Sequence, residues 1–363
     1  MTELMRALLS GAVAVGVAQG ARMAGNVTYC GDASHVALTT CNTGALPCGA
    51  DQPCVQYPSG AAATCSEASR NDCEAYDATC TFQCLGAYNT MSAKWTLFIK
   101  DPKTTDGAVV GSTDPFPSAP VDKITSAAFS DETKAIQITG FDNTNIQKGS
   151  VKTVSFDADA FSAVAVLENL VITNVDLSTA ASGLLPQSVS SLYLENCNLN
   201  AFPQDIATMR NLANLHFTKN VIAEMPANGS TVATALQKAK LLDLSANALT
   251  KFDLVLPEVT TLDLSQNQIT TFPTAVFSMT KLTSLNLTGN SISSLQLTQD
   301  QYTMLKRLSA GALGISSVSG SCASGATEGK VLDSVVCVSA SAGGSTTTEE
   351  KKSSSNSVVV IRA

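Results

Sequence analysis

Hydrophobic residues recur at fixed positions through the second half of the chain. The stretch LDLSANAL at residues 242–249 returns as LDLSQNQI at residues 262–269. Side chains alternate along a strand, so the two leucines of each Leu-x-Leu triplet point to the same side. A single copy cannot bury that side alone. The pattern therefore predicts copies stacked strand beside strand in a parallel sheet.

Five copies fit the frame LxxLxLxxNxL at nearly every position. They begin at Val189, Leu212, Ala239, Val259 and Leu282. The Asn of the frame ends each strand, and its amide is expected to bond neighbouring backbone in the turn. The first copy has Cys197 in this position instead. We predict a buried structural thiol there rather than a reactive one, because nothing beside it indicates a lowered pKa.

Weaker copies extend the pattern in both directions. They begin at Val151, Leu167 and Leu305, and a still weaker one centres on Ile136 and Ile138. Between copies, proline follows the Asn turn and excludes further strand, as at Phe272–Pro273. TAVFSMTKL (274–282) then predicts a short helical or irregular return. The insertion PANGSTVATAL (226–236) is expected on the convex side or at an edge.

These copies are identified as leucine-rich repeats, covering residues 133–320. The resemblance implies an α/β repeat solenoid with its parallel β-sheet on the concave face, and the family tolerates Cys in the Asn position. A stack of repeats needs caps at its ends. We expect residues 93–132, which include WTLFIK (95–100), to form a disulfide-rich N-terminal cap together with the cysteine-rich segment 21–92, with a loop over 101–120. The C-terminal cap is expected at residues 321–338.

The N-terminal 20 residues resemble a secretory signal peptide. A stretch without charges, Ala7–Ala18, follows Arg6 and is too short to span a bilayer, which takes about 20 residues. Small residues at Ala18 and Gly20 suit cleavage after Gly20. The alternative is a buried helix at the start of a cytosolic domain. The density of cysteines that follows favours the signal peptide.

Residues 21–92 are rich in cysteine, which predicts a disulfide framework in place of a large core. The members of this set are Cys30, Cys41, Cys48, Cys54, Cys65, Cys73, Cys80 and Cys84. Eight cysteines allow 105 pairings, and the sequence does not choose among them. Zinc is the alternative, but paired CxxC knuckles are missing. Cys322 and Cys337 are expected to form a separate disulfide.

The composition narrows the classes of function. Of 363 residues, 14% are charged and 44% hydrophobic, with a net charge of −8. An acidic chain without a basic run argues against nucleic acid or an anionic membrane as partner. The two histidines, His35 and His216, leave few candidates for a catalytic triad or a metal site. GATEGK (325–330) is one residue short of a phosphate loop, lacks the following Ser or Thr, and is expected to be a loop. We predict no enzyme, no metal and no cofactor.

Ligands of such solenoids usually lie on the concave sheet, where the residues between the leucines point outward. The predicted middle column of outward residues is Ser155, Val171, Tyr193, His216, Asp243, Asp263, Asn286 and Ser309. Tyr193, Glu195, His216, Asp243 and Asp263 are the candidate ligand-binding residues, an aromatic and an imidazole beside acids that suit a peptide or a basic partner. The alternative is that LDLS places Asp in this column throughout the family, whatever the ligand.

Asn26, Asn228 and Asn286 each open an Asn-x-Ser/Thr sequon for N-glycosylation. Asn228, in the insertion, is expected to be the best acceptor. A glycan on Asn286 would stand on the concave face near Asp263 and confine a partner to the N-terminal half.

Residues 339–363 have the composition of a disordered stalk rich in Ser, Thr and Lys, and VVVI near the end is too short to anchor the chain. The order of parts resembles the ectodomain of leucine-rich repeat receptor-like (tyrosine-kinase-like) kinases of oomycetes, without the kinase domain. That resemblance implies a secreted or cell-surface module that binds an extracellular protein or peptide. The membrane is an expected partner only if a longer form of the chain continues into a transmembrane segment. The alternatives are a wall-associated adhesion protein or an inhibitor of a secreted enzyme.

Overall fold

The structure is a computed structural model. It describes residues 35–40, 53–58, 73–75, 80–85, 93–99, 118–126, 129, 132–140, 151–161, 164–180, 182–315, 322 and 324–339. Several expectations lie outside these residues: the signal peptide, the loop over 101–117, the stalk beyond residue 339, Asn26, Cys30, Cys41, Cys48 and Cys65. Cys73, Cys80 and Cys84 lie on described strands.

The strands are short and regularly spaced. In the N-terminal part they are β1 (Ala37–Thr40), β2 (Pro53–Pro58), β3 (Cys73–Ala75), β4 (Cys80–Cys84), β5 (Lys94–Ile99), β6 (Ser118–Ala119), β7 (Lys123–Ile124), β8 (Ala135–Gly140) and β9 (Ser155–Phe156). They continue with β10 (Asn169–Thr173), β11 (Ser191–Glu195), β12 (Asn214–His216), β13 (Leu241–Asp243), β14 (Thr261–Asp263), β15 (Ser284–Asn286), β16 (Gln296–Leu297), β17 (Ala310–Ala312), β18 (Ala326–Val331) and β19 (Ser334–Ser339). Two 3-10 helices span Gln204–Thr208 and Thr274–Ser278, and two α-helices span Thr231–Leu236 and Gln299–Leu305.

Among the described residues, ten strands form one parallel sheet in the order β17-β15-β14-β13-β12-β11-β10-β8-β5-β6. The first leucines of the Leu-x-Leu triplets are aligned across five strands, and each has no exposed surface. They are Leu192, Leu215, Leu242, Leu262 and Leu285. The predicted α/β repeat solenoid is confirmed. Its leucines form one continuous core, and the side of the sheet opposite them is the concave face.

The asparagine of the repeat joins neighbouring copies through its buried amide. Nδ2 of Asn247 donates to the carbonyl oxygens of Phe217 at 2.7 Å and Leu244 at 3.0 Å, and Oδ1 accepts from the Ile222 N–H at 3.1 Å. The same arrangement recurs at Asn220, Asn267 and Asn290. The expected bonding of the amide to backbone is therefore found. Each turn is satisfied by a side chain from the next repeat.

Cys197 takes the asparagine position in its repeat and is fully buried. Its Sγ lies 3.3 Å from the carbonyl oxygen of Ile172, in place of the amide donor. Burial, with smaller contributions from the charges of Glu195 and Asp176, raises the pKa of the thiol well above its ordinary value, although a backbone hydrogen bond from Val175 opposes the shift. The group is thus a neutral packing thiol.

The return segments follow the prolines. Both 3-10 helices begin directly after proline, at Pro203 and Pro273. The insertion forms the α-helix Thr231–Leu236, whose Ser230 side chain accepts from the Ala233 N–H as an N-cap. This helix buries its apolar side chains against the 3-10 helix of the preceding repeat.

The upstream copies differ from the prediction. The weak copy at Ile136 and Ile138 is a full strand, β8, paired with β10 and β5. The copy beginning at Val151 is not in the parallel sheet, because β9 pairs with β7 instead. Ser155 therefore does not belong to the concave column. The residues WTLFIK, predicted as a cap, also enter the sheet as β5, so the parallel sheet begins before residue 133.

The last copy was predicted three residues out of register. Gly311, rather than Leu308, pairs with Leu285, and Ala312 pairs with Asn286. Ala312 therefore replaces Ser309 in the concave column. Gly311 has φ +104°, and a Cβ there would lie 1.9 Å from the Leu285 carbonyl oxygen. The repeat closes tightly enough at this end that only glycine fits.

Other described strands form two further sheets. The first has the order β3-β4-β2-β1-β7-β9, and Cys54 on β2 is disulfide-bonded. In the second, β18 and β19 form a hairpin that pairs with β16, and a disulfide joins Cys322 and Cys337. The segment GATEGK, expected as a loop, lies mainly in β18.

Candidate concave binding face

The register of the parallel sheet aligns a row of side chains across its concave face. Val171 pairs with Tyr193, Tyr193 with His216, His216 with Asp243, and Asp243 with Asp263. Each lies midway between the two buried apolar residues of its own strand, and each is partly exposed. Gln137 precedes this row and Asn286 follows it. The structure therefore brings together four of the five predicted ligand-binding residues as direct neighbours.

Tyr193 and His216 form a stacked pair at the centre of the row. Their ring centroids are 4.2 Å apart and their planes differ by 7°. Neighbouring strands in a sheet are about 4.8 Å apart. Two flat rings on adjacent strands can therefore stack face to face at nearly the distance that separates their strands. One face of Tyr193 is thus covered by the imidazole, and its other face is turned toward the strand carrying Val171.

His216 also contacts an acid on its other side. Its Nδ1 lies 3.5 Å from Oδ2 of Asp243, and the two side chains are 23% and 22% exposed. Burial opposes ionisation of this carboxyl, but hydrogen bonds from His216 and Ser245 outweigh it, so the pKa of Asp243 lies below its usual range. Asp243 Oδ1 accepts from the Ser245 N–H at 2.9 Å, which fixes the orientation of the carboxylate.

Asp263 is held by neutral donors only. Its Oδ1 accepts from the Ser265 N–H at 2.8 Å, and its Oδ2 accepts from Nδ2 of Asn286 at 2.9 Å. Among the described residues it forms no ion pair with a cationic side chain. A partly buried negative charge therefore remains on the concave face without a counterion among those residues.

Glu195, the fifth predicted residue, lies two positions further along β11. Its Oε1 is 2.8 Å from Nζ of Lys219, and the two side chains are 34% and 37% exposed. Sequence reasoning missed Lys219, which sits in the turn after β12 with φ +56°. The ion pair with Lys219 neutralises Glu195. Glu195 should therefore attract a cationic group of a partner less strongly than Asp263 does.

The N-terminal part of the face carries the opposite charge. Nζ of Lys94 donates to Oε1 of Gln137 on the neighbouring strand, and Nε2 of Gln137 donates to Oγ1 of Thr139 at 3.4 Å. Burial lowers the pKa of the Lys94 ammonium. In the part of the chain that the structure describes, no carboxylate pairs with Lys94. Lys94 and Gln137 were not among the predicted site residues. Lys94 directly precedes WTLFIK, which was predicted as a cap, and only the weak signal at Ile136 and Ile138 marked the strand that carries Gln137.

Two of the three sequons can be compared in the structure. Asn228 is exposed in the insertion, beside Gly229, around which a Cβ would meet nothing within 4 Å. Asn286 is half-buried. Its Nδ2, the atom a glycan would join, donates to Asp263, and its Oδ1 accepts from Oγ1 of Thr288 at 2.9 Å. The comparison favours Asn228 as an acceptor over Asn286.

The described residues lack two other kinds of functional feature. No group of three or more His, Cys, Asp or Glu side chains is placed to hold a metal ion within those residues. No helix among them has the length and apolar character to cross a membrane.

Comparison with known proteins gives a family model and several solved structures. The model for leucine-rich repeats (two copies) matches residues 257–299. No curated protein matches the chain. An internalin from Listeria monocytogenes is 17% identical, with a TM-score of 0.31 over 50% of this chain and 61% of its own. A leucine-rich repeat protein of Leptospira interrogans is 20% identical, with a TM-score of 0.36 over 55% and 61%.

The plant peptide hormone receptor RGFR1, solved in complex with RGF2, is 17% identical with a TM-score of 0.33. The similarity covers 60% of this chain and 33% of the receptor. The chain thus spans less than two thirds of each of these three proteins.

Proposed function

We propose that this leucine-rich repeat protein is an extracellular recognition module that binds a protein or peptide on its concave face. The single observation that carries the proposal is the stacked pair Tyr193–His216. The leucines on the other side of the sheet already form the core, so folding does not require aromatic rings here. Partly exposed aromatic residues at the centre of a surface commonly supply much of the binding energy at protein interfaces.

The surroundings of the pair support a polypeptide partner. Val171 on one side is short and apolar, while Asp243 and Asp263 on the other are oriented by fixed hydrogen bonds. Oriented polar groups beside an apolar contact area give a partner both affinity and register. The face has the features of a binding surface, with rigid strands holding each side chain.

A library of random nine-residue peptides, each with a free carboxyl end, tests the proposal. We expect the purified chain to enrich a distinct set of sequences. In the double variant Tyr193→Ala, His216→Ala, affinity for them should fall at least about tenfold, the usual scale for losing a central aromatic contact. Far-UV circular dichroism and a thermal melt establish that the variant is folded.

The matched control is His35→Ala. His35 pairs with Asp122 at 3.3 Å, much as His216 pairs with Asp243, but it lies in the N-terminal sheet region rather than on the concave face. This variant should bind as the wild type does. If the double variant enriches the same peptides with the same affinity, binding does not occur at the stacked pair and the proposed function is wrong.

Secretion is part of the proposal. The predicted cleavage after Gly20 would deliver the chain to an oxidising compartment, consistent with a disulfide between Cys322 and Cys337 and a bonded Cys54. We expect the secreted protein to begin at Ala21 and to carry a glycan on Asn228. N-terminal sequencing and peptide mapping after endoglycosidase treatment test both expectations. Unmodified Asn228 in secreted protein would contradict the second.

A further inference from the structure

The concave face carries uncompensated charges of opposite sign at two separated places. Lys94 on β5 has no carboxylate partner, and Asp263 on β14 has no cationic partner, within the described residues. Between them the described row consists of neutral side chains, the stacked pair and Asp243, which faces His216. The face is therefore electrically polarised along the axis of the solenoid, with its positive end near the N-terminal cap.

The distance between these charges follows from the order of the strands. From β5 to β14 the sheet passes through β8, β10, β11, β12 and β13, which makes six strand spacings. At about 4.8 Å each this is roughly 29 Å along the sheet. An extended peptide advances about 3.3 Å per residue, so about nine residues cover the span. The stacked pair falls near its middle.

We propose that the partner is an extended segment of about nine residues that lies across the strands in one fixed direction. A Lys or Arg near its N-terminal end lies over Asp263, a planar or apolar residue lies against Tyr193 and Val171, and a carboxylate near its C-terminal end lies beside Lys94. The inference rests on the proposed function and adds to it the direction and charge pattern of the ligand.

A short peptide with free ends carries a positive N-terminal ammonium and a negative C-terminal carboxylate, so the signs of Asp263 and Lys94 select this direction over its reverse. A segment lying the other way with the same charges would set its carboxylate beside Asp263 and its cation beside Lys94. Like charges placed together at a partly desolvated interface are strongly unfavourable, and complementary ones fix the register of a complex. The carboxylate that meets Lys94 has two chemical sources, an acidic side chain or the end of the chain, and peptides with amidated ends distinguish them.

Positional analysis of the selected nonapeptides tests the inference. We expect Lys or Arg to be enriched in the first three positions, aromatic or apolar residues in the middle three, and Asp or Glu in the last three. Asp263→Asn retains a side-chain acceptor for the Ser265 N–H while removing the charge, and it should abolish the basic preference at the start only. Lys94→Gln should abolish the acidic preference at the end only. In a selected peptide, each matching charge removal should weaken binding about fivefold to tenfold.

The control variants change the same charges off the concave face. Lys251 and Asp253 form an exposed ion pair in a return segment, at 3.2 Å, so Lys251→Gln and Asp253→Asn should leave every preference unchanged. Peptides that bind through Tyr193 and His216 but show no end preference, or the reverse one, would overturn the direction and leave the proposed function standing. Peptides whose binding ignores the Tyr193→Ala, His216→Ala variant would overturn both.

Discussion

The variant Asn247→Ala tests how much the buried amide of Asn247 contributes to holding neighbouring repeats together. Two of its contacts have no substitute. The Phe217 carbonyl and the Ile222 N–H each lack another hydrogen-bond partner in the described part of the chain. The Leu244 carbonyl, by contrast, keeps the amide of Asn267 at 2.9 Å. The variant therefore leaves two buried backbone groups unsatisfied.

The size of the effect follows from those two groups. A buried polar group left without a partner costs about 1–3 kcal/mol, so the free energy of unfolding should fall by about 2–6 kcal/mol. Asn200→Ala is the matched control, because Asn200 is exposed and its substitution should change stability by less than about 0.5 kcal/mol. Asn247→Cys should fall between these values, since Cys197 is accommodated in the same position of its own repeat.

Urea unfolding followed by far-UV circular dichroism measures the three variants against the wild type. The difference in free energy is taken from the midpoints, provided that the slope of the transition is unchanged. An Asn247→Ala protein within about 0.5 kcal/mol of the wild type would refute the reasoning, because the amide would then not be what satisfies the turn. A changed slope would indicate that the stack had ceased to unfold as one unit.

Three further predictions concern single features of the fold. Gly311→Ala should lower the melting temperature more than Gly183→Ala, because both glycines have positive φ but only Gly311 has backbone within reach of an added Cβ; equal losses would contradict this. Asp243→Asn should destabilise the protein above pH 3.8, and in a pH series of melts the difference should shrink as the pH falls through the lowered folded-state pKa. A constant difference would count against it. Cys337→Ser, which opens the 15-residue link to Cys322, should cost about 3 kcal/mol in urea unfolding. A stability equal to that of the wild type would oppose it.

The strands of the central repeats could be predicted because their spacing leaves little freedom. A leucine at every second position must be buried, and only pairing with the next copy buries it. Where the pattern weakens, pairing depends on distant residues. Val154-x-Phe156 fits the repeat frame as well as the segment around Ile136 does, yet β9 joins β7 and β1 in the other sheet. That choice is made by tertiary contacts, which local alternation does not encode.

The last repeat was misplaced for a different reason. The prediction placed a leucine at the position that pairs with Leu285. The backbone there approaches so closely that only a residue without a side chain fits, and that residue is Gly311. On the concave face, the row from Tyr193 to Asp263 followed from repeat spacing alone. The ion pair between Glu195 and Lys219 did not, since Lys219 lies in a left-handed turn outside the strand pattern.

The sharing of strands between the two sheets limits how the chain can grow. The weak copy at Ile136 contributes β8 to the long sheet and the copy beginning at Val151 contributes β9 to the sheet that includes β1, so the loss of either copy would remove a strand from one sheet. The strands β12, β13 and β14 pair only with strands of other strong copies. Gene duplication could therefore lengthen the array by inserting whole repeats between the central ones. At the N-terminal end, the strands of the two sheets would have to be kept together.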